Sequence, residues 1–236
     1  MIPLYYDLHI HSCLSPCGDD DMTPANIAGM AAVKGLDMIA LTDHNSCKNC
    51  PAILKHGEEY GITVIPGMEL TTAEEVHVVC LFPALDDAMA FDGYVYERLL
   101  PIKNREDIFG KQQIMDADDQ VTGNVERLLI GATDISFDQV FGLVEAYRGI
   151  AYPAHIDKST TSLLSNLGFV PPDSSFTCAE ISTFDHLHQI QKEHPYFLQC
   201  KMLSSSDAHY LEDIREPDYQ IYARSRAAKD ILEGLR

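Results

Sequence analysis

Short apolar segments that end in a histidine or an acid, separated by helix signals, constrain this chain more than any other feature. "LYYDLHIH" alternates apolar residues into His9 and His11, and "LDMIALTDH" reads as a buried strand ending at His44. "ITVIPGMELTT" places Glu69 near its end, and "VHVVCLF" contains His77. "IAYPAHID" ends at His155, "CAEIST" is a further strand, and "KMLSSSDAH" ends at Asp207 and His209. The helices between them have readable ends. Thr23 suits an N-cap, Pro24 the first helical position and Gly35 a C-terminal stop. "CPAILKHGEEYG" stops at Gly61, and "TTSLLSNLG" and "AAKDILEGLR" also read as helices. A β-loop-α-β order predicts an α/β fold with parallel strands and right-handed crossovers.

The rhythm breaks between Leu85 and Arg148. "AFDGYVYERLL" reads as a helix, "FGKQQIMDADDQVTG" as a hairpin turning through Asp118 and Asp119, and "SFDQVFGLVEAYRG" as an amphipathic helix. Residues 1–84 and 149–236 are therefore expected to form a barrel domain, with 85–148 as an inserted cap.

Composition narrows the function. A chain of 236 residues with 46% apolar and 22% charged residues fits one large domain, with or without an insertion. The net charge of -19, from 36 acids against 17 lysines and arginines, argues against a basic surface for duplex nucleic acid and is compatible with bound cations. The first residues show no basic start followed by an apolar stretch, and no run reaches membrane-span length, so a cytoplasmic protein with no membrane partner is expected. Seven cysteines, an odd number, speak against a disulfide framework. Cys13, Cys17, Cys47 and Cys50 fall in the first two loops, either as reduced thiols or as a separate thiolate site. Cys80, Cys178 and Cys200 read as small buried hydrophobes.

In a parallel α/β barrel the C-terminal strand ends converge on one face, where the site is built. Residues two apart on a strand share a face, so His9 points with His11 and Asp207 with His209. Six of the ten histidines belong to this set. Neutral imidazoles and carboxylates suit divalent zinc, manganese or iron. Without a cation, so many polar groups in one barrel mouth would be costly to desolvate.

The ordered set "DLHIHS", "ALTDHN", "GMELTT", "HVVCLF", "PAHID" and "SSSDAH" resembles the polymerase-and-histidinol-phosphatase (PHP) family of metal-dependent phosphoesterases. The resemblance implies a distorted (β/α)7, TIM-like barrel with two or three divalent ions (Mn, Fe or Zn) in its mouth. Carried over position by position, it implies His9 and His11 as the first ligands. The acid after them is Asp19 by its spacing to "TP", with Asp20 and Asp21 as rivals. His44, the bridging Glu69, His77, His155, Asp207 and His209 complete the set. The implied reaction is hydrolysis of a phosphomonoester or phosphodiester (a nucleotide, short oligonucleotide or small phosphorylated metabolite) by metal-activated hydroxide. Glu69 would hold the ions, Asp207 would ligate a metal and orient the water, and His209 or another edge imidazole would protonate the leaving group. Lys158 and Arg148, and less so Lys201, are candidates to grip substrate phosphate; Tyr152 and Phe184 are candidates to stack on a base. The expected partner is a small phosphorylated substrate, with the oligomeric state open. An amidohydrolase-like metal hydrolase is opposed by the lack of a suitably placed strand-end lysine. A non-catalytic regulatory metal-binding module is opposed by the complete ligand set.

Overall fold

Side-chain alternation along short strands sorts the chain into an inner and an outer apolar layer. The computed structural model describes residues 1–236. Its strands are β1 (Ile2–Ile10), β2 (Met38–Leu41), β3 (Thr63–Thr71), β4 (His77–Leu81), β5 (Gln113–Met115), β6 (Val121–Asn124), β7 (Ile150–Pro153), β8 (Cys178–Glu180), β9 (Lys201–Leu203) and β10 (Gln220–Ala223). A six-stranded sheet runs β10-β1-β2-β3-β4-β7, and β8 and β9 form a second, parallel pair. The Ile156 N–H donates to the Glu180 carbonyl (2.8 Å), and the His11 N–H donates to the Ala208 carbonyl (3.0 Å). These bonds join the second pair to β7 on one side and to β1 on the other. The curled half-barrel thereby closes into the distorted, TIM-like barrel that the family resemblance implied.

Met38 and Ala40 of β2, Ile65 of β3 and Val79 and Leu81 of β4 point inward, where Ile231, Leu232 and Leu235 of the helix Ala228–Leu235 join them. Their sequence neighbours Ile39, Leu41, Val64, Val78 and Cys80 face outward and pack on Ile27, Ala31 and Ile53. The latter belong to the helices Pro24–Lys34 and Cys50–Tyr60. The first of these starts as its sequence predicts, with the Thr23 hydroxyl accepting the Asn26 N–H. It stops at Gly35, whose φ of 80° is open to glycine at no steric cost.

The strands are not all parallel. β1, β2 and β3 run together, but β4 is antiparallel to both neighbours and β10 is antiparallel to β1. The link from β3 to β4 is too short to carry the crossover that a parallel pair needs. The reversal puts His77, the first residue of β4, beside the C-terminal end of β3, opposite Thr71.

The segment expected as an inserted cap divides in the structure. Phe91 and Val95 of the helix Leu85–Arg98, with Phe137, Val140 and Val144 of the helix Phe137–Ala146, share the barrel's outer apolar layer. The stretch between these helices carries the β5–β6 hairpin and lies against the loops that follow β1 and β2. Gln113 N–H donates to the Cys13 carbonyl (3.1 Å) and the Thr23 hydroxyl to Asp119 (2.6 Å). The buried Asn49 side chain donates to the Gln113 carbonyl (3.2 Å) and accepts the Met115 N–H (2.9 Å).

Three local expectations change. "TTSLLSNLG" makes only the short helix Leu163–Asn166. β9 ends at Leu203, so Asp207 and His209 lie past it in irregular backbone. β10 and the helix Leu187–Glu193 were not foreseen. No helix is long and apolar enough to cross a membrane.

Candidate metal centre

β1 aims the first two imidazoles by a break in its own pairing. Its register against β2 shifts between Asp7 and Ile10. Leu8 therefore lies in the inner layer while Ile10 lies in the outer one, and His9 and His11 turn into the barrel mouth. On β3, Ile65, Gly67 and Glu69 share the inward face by alternation. His155 and Asp207 reach the mouth through left-handed backbone, with φ of 26° and 54°. Non-glycine residues rarely adopt it, and it clusters at functional sites.

These groups meet around Glu69, which is fully buried. Its Oε1 lies 2.9 Å from His77 Nδ1, 3.0 Å from His155 Nε2 and 3.2 Å from His9 Nε2. Its Oε2 lies 3.0 Å from His44 Nδ1 and 3.5 Å from His11 Nε2. Asp207 Oδ1 is 3.1 Å from His11 Nε2 and 3.4 Å from His9 Nε2. Burial alone would raise the Glu69 carboxyl, yet His77, His9, His155 and His44 together hold it well below the usual range. Burial would lower His9, but Glu180, Glu69 and Asp207 raise it well above the ordinary imidazole value. Asp207 is likewise depressed: His9 and His11 outweigh its desolvation.

Groups behind the mouth set the tautomers. His9 Nδ1 faces Glu180 Oε1 at 2.9 Å, and the same oxygen accepts the His155 N–H. A carboxylate only accepts, so in the neutral ring that a cation requires the His9 proton sits on Nδ1 and Nε2 presents its lone pair to the mouth. His11 Nδ1 meets Ser15 Oγ (3.0 Å), whose hydroxyl donates to the buried Asp43 (2.8 Å), so Nε2 of His11 is free in the same way. His209 Nδ1 donates to the Asp207 carbonyl (2.8 Å). Glu180, Asp43 and Ser15 were missed in the sequence. Asp43 stands in the quoted "TDH", but Glu180 shows no signal beyond its place at the end of a strand.

Not every expected residue belongs here. Asp19 does not join the cluster: its Oδ1 accepts the Asp21 N–H, which closes a local turn. Arg148 is corrected outright. It precedes β7, at the end opposite His155, and its guanidinium pairs with Asp87. Lys201 is also at the far end and donates to the Gly234 carbonyl near the C-terminal helix. Lys158 does reach the mouth, where its ammonium pairs with Asp207 Oδ2. Tyr152 is fully buried in the inner layer, and Phe184 packs on Tyr219 away from the histidines. The four loop cysteines do not gather into a thiolate site. The Cys47 and Cys50 thiols both donate to the Gly67 carbonyl, Cys13 is buried, and Cys17 is exposed. Desolvation would raise the Cys17 thiol, but the nearby His209 and His44 imidazoles bring it down to about 6.

The donor set fits divalent cations. Three groups have ligand atoms within 4.8 Å of one another: His9, His11, Glu69 and Asp207; His44, Glu69 and His77; and His11, His44 and His209. His44 Nδ1, Glu69 Oε2 and Asp207 Oδ1 are buried with no hydrogen-bond partner. Buried polar atoms without partners are costly, and a cation among them removes that cost.

A TIM-like barrel with imidazoles and carboxylates converging on one mouth is the architecture of a metal-dependent hydrolase. The chain belongs to the PHP domain family, whose sequence profile matches residues 7–232. An uncharacterized protein of Methanocaldococcus jannaschii is 36% identical over 76 residues, which are 29% of this chain and 44% of that protein. A 5'-3' exoribonuclease of Haemophilus influenzae is 33% identical over 79 residues, 32% of this chain and 28% of the relative. Both matches cover less than half of the relative's length. Among solved structures, the lesion-specific endonuclease EndoQ from Pyrococcus furiosus superposes with a TM-score of 0.69 at 18% identity, covering 99% of this chain and 56% of that one. Endonuclease Q in complex with a 27-mer duplex substrate, with an abasic lesion at the active site, gives 0.61 at 17% identity, covering 100% and 57%. An amidohydrolase from Chromobacterium violaceum, with bound sulfate and no metal, gives 0.60 at 19% identity over 89% of each chain.

These comparisons correct one expectation. Duplex nucleic acid was excluded, and a small phosphorylated substrate expected, partly on net charge. The same fold, across the whole of this chain, is found in an enzyme solved on a DNA duplex. Net charge therefore does not exclude such a partner.

Proposed function

We propose that this protein is a metal-dependent phosphodiesterase acting on nucleic acid. The observation that carries the reading is the Glu69 carboxylate. It is buried, each oxygen faces a different set of imidazoles, and Asp207 lies against the same histidines. His9, His11, Glu69 and Asp207 would hold one cation, and Glu69 with His77 and His155 another, drawn from manganese, iron or zinc. Bound divalent cations supply acidified water and neutralise charge building on phosphate oxygens. Asp207 Oδ1 orients and accepts from the attacking water, and the Lys158 ammonium offers a cation to a substrate phosphate. His209, at the outer edge with its Nδ1 proton held by the Asp207 carbonyl, turns Nε2 toward the mouth as a further donor beside His11 and His44. An endonuclease and an exoribonuclease among the similar proteins support nucleic acid as the substrate class. We place the protein in the cytoplasm, where its seven unpaired cysteines remain reduced.

The test is turnover of bis(p-nitrophenyl) phosphate, of single-stranded oligonucleotides, and of duplexes with and without an abasic site, by protein loaded with manganese, iron or zinc. Phosphodiester cleavage is expected, and Glu69→Gln should reduce it about 100-fold or more. Cleavage of amide substrates alone, with no phosphodiester turned over under any metal, would sink the proposal and favour the amidohydrolase reading.

A further inference from the structure

β1 changes partners part-way along one edge. From Ile2 to Tyr5 that edge pairs with β10. Further on, the irregular segment after β9 takes it, and the only bridge of sheet type there is Ile10 with Ala208. Side chains fill the seam between. Asp7, fully buried, accepts the Ser206 N–H at Oδ1 (3.0 Å) and the Arg215 N–H at Oδ2 (3.0 Å). Arg215 Nη2 donates to Ser204 Oγ (3.1 Å) and to the Ser205 carbonyl (2.7 Å). The Ser204 N–H reaches the Tyr6 phenol oxygen (3.3 Å), the Leu8 N–H donates to Ser205 Oγ (3.2 Å), and Ser206 Oγ donates to the His9 carbonyl (3.3 Å). Ser204, Ser205 and Ser206 are each tied to β1, and the residue that follows them is Asp207.

A second observation comes from Asp207 itself. Its φ of 54° is a backbone state that a non-glycine residue keeps only where its surroundings over-determine it. The seam does this from both flanks, with Ser206 just before Asp207 and Arg215 beyond His209 both held by one carboxylate. Asp7 also stands two residues before His9, so it links the strand that carries His9 and His11 to the loop that carries Asp207. Arg215 extends the link outward. Its guanidinium lies 4.9 Å from the centre of the Tyr219 ring, which meets Phe184 edge-on, and Ser204 Oγ donates to the Ser182 carbonyl (3.1 Å) in the loop after β8.

We infer that Asp7 and Arg215 are positioning residues for the metal centre. They clamp the segment Ser204–Ser206 to β1 and so set where Asp207 Oδ1 stands relative to the Nε2 atoms of His9 and His11. Both Asp7 oxygens are committed to backbone N–H groups, so Asp7 acts through Asp207 and not as a ligand. The inference rests on the metal-dependent reading above.

Two substitutions test the clamp without any substrate. Asp7→Asn keeps the size of the side chain, but its amide nitrogen must face one of the two N–H donors. Arg215→Met removes the bonds to Ser204 and Ser205, keeps the backbone bond to Asp7, and decides the matter if Asp7→Asn does not fold. The full chain is stripped of metal and reloaded with cobalt(II). Affinity is read by competition with a chromophoric chelator, ligand geometry by the cobalt d–d absorption, and folding by circular dichroism. Each folded variant should bind cobalt about 10- to 100-fold more weakly than the wild type. Its d–d spectrum at full loading should also differ in position or intensity. Variants that melt earlier yet keep the wild-type affinity and spectrum would overturn the inference, because the seam would then serve the fold alone. A wild type that takes up no cobalt would overturn it together with the metal-dependent reading. A wild type that loads cobalt but cleaves no phosphodiester sinks the proposed activity only, and the clamp still stands or falls on affinity and spectrum.

Discussion

Glu180 illustrates how one side chain acts through another. It touches His9 and the His155 backbone but lies behind the mouth, with its Oε1 fixing the His9 tautomer. Such outer partners typically contribute 10- to 100-fold in metal affinity. Glu180→Gln is thus expected to weaken metal binding by about 10- to 100-fold, read by competition with a chromophoric chelator. Arg148 makes the opposite case. Its pairing with Asp87 lies at the far end of the barrel. Arg148→Ala should leave turnover unchanged and cost about 1–2 kcal/mol of stability in urea unfolding, because a mostly buried carboxylate loses its partner. Lowered turnover in that variant would return Arg148 to the site.

At the scale of elements, the hairpin and the first two loops are tied by one residue. Asn49 is fully buried, donates to Ser12 Oγ and the Gln113 carbonyl, and accepts the Met115 N–H. Asn49→Ala leaves those partners buried and unsatisfied, so we expect about 1–3 kcal/mol of destabilisation. Faster proteolytic cutting in the segment 110–124 should accompany it. Uniform protection there, with unchanged unfolding, would mean the hairpin is held by other contacts. The reversed β4 also belongs to this scale. It brings His77 to the mouth from the start of a strand, whereas the other donors lie near or beyond strand ends.

For the whole molecule, the charge of -19 and the nucleic-acid proposal are compatible once local and summed charge are separated. Net charge adds over the entire surface, whereas a phosphate in the mouth meets bound cations, the largest local charges there. An acidic surface also lacks the extended phosphate grip of a basic binder. Oligonucleotide affinity should therefore fall far less than about 1,000-fold between about 50 and 200 mM salt. Metal binding is also expected to stabilise the fold, because buried donors without partners gain one. Dialysis against a chelator should lower Tm, and cation at about 100 times its Kd should return roughly 2.7 kcal/mol. A Tm indifferent to both would argue that the donors hold no cation.

The sequence by itself determined the strand-helix rhythm, the capped first helix and most of the donor set. His9, His11, His44, Glu69, His77, His155, Asp207 and His209 are read from local pattern and motif order. Strand alternation and helix caps are short-range physics, visible within a few residues. Only the tertiary structure decided the rest. The register shift in β1, the antiparallel β4, the left-handed turns at His155 and Asp207, and the joining of Glu180 to His9 across 171 positions all depend on contacts between distant segments. The place of Asp19 is of the same kind: counting along the chain measures spacing, but the fold of the loop after β1 puts its carboxylate into a local turn with Asp21 rather than into the cluster.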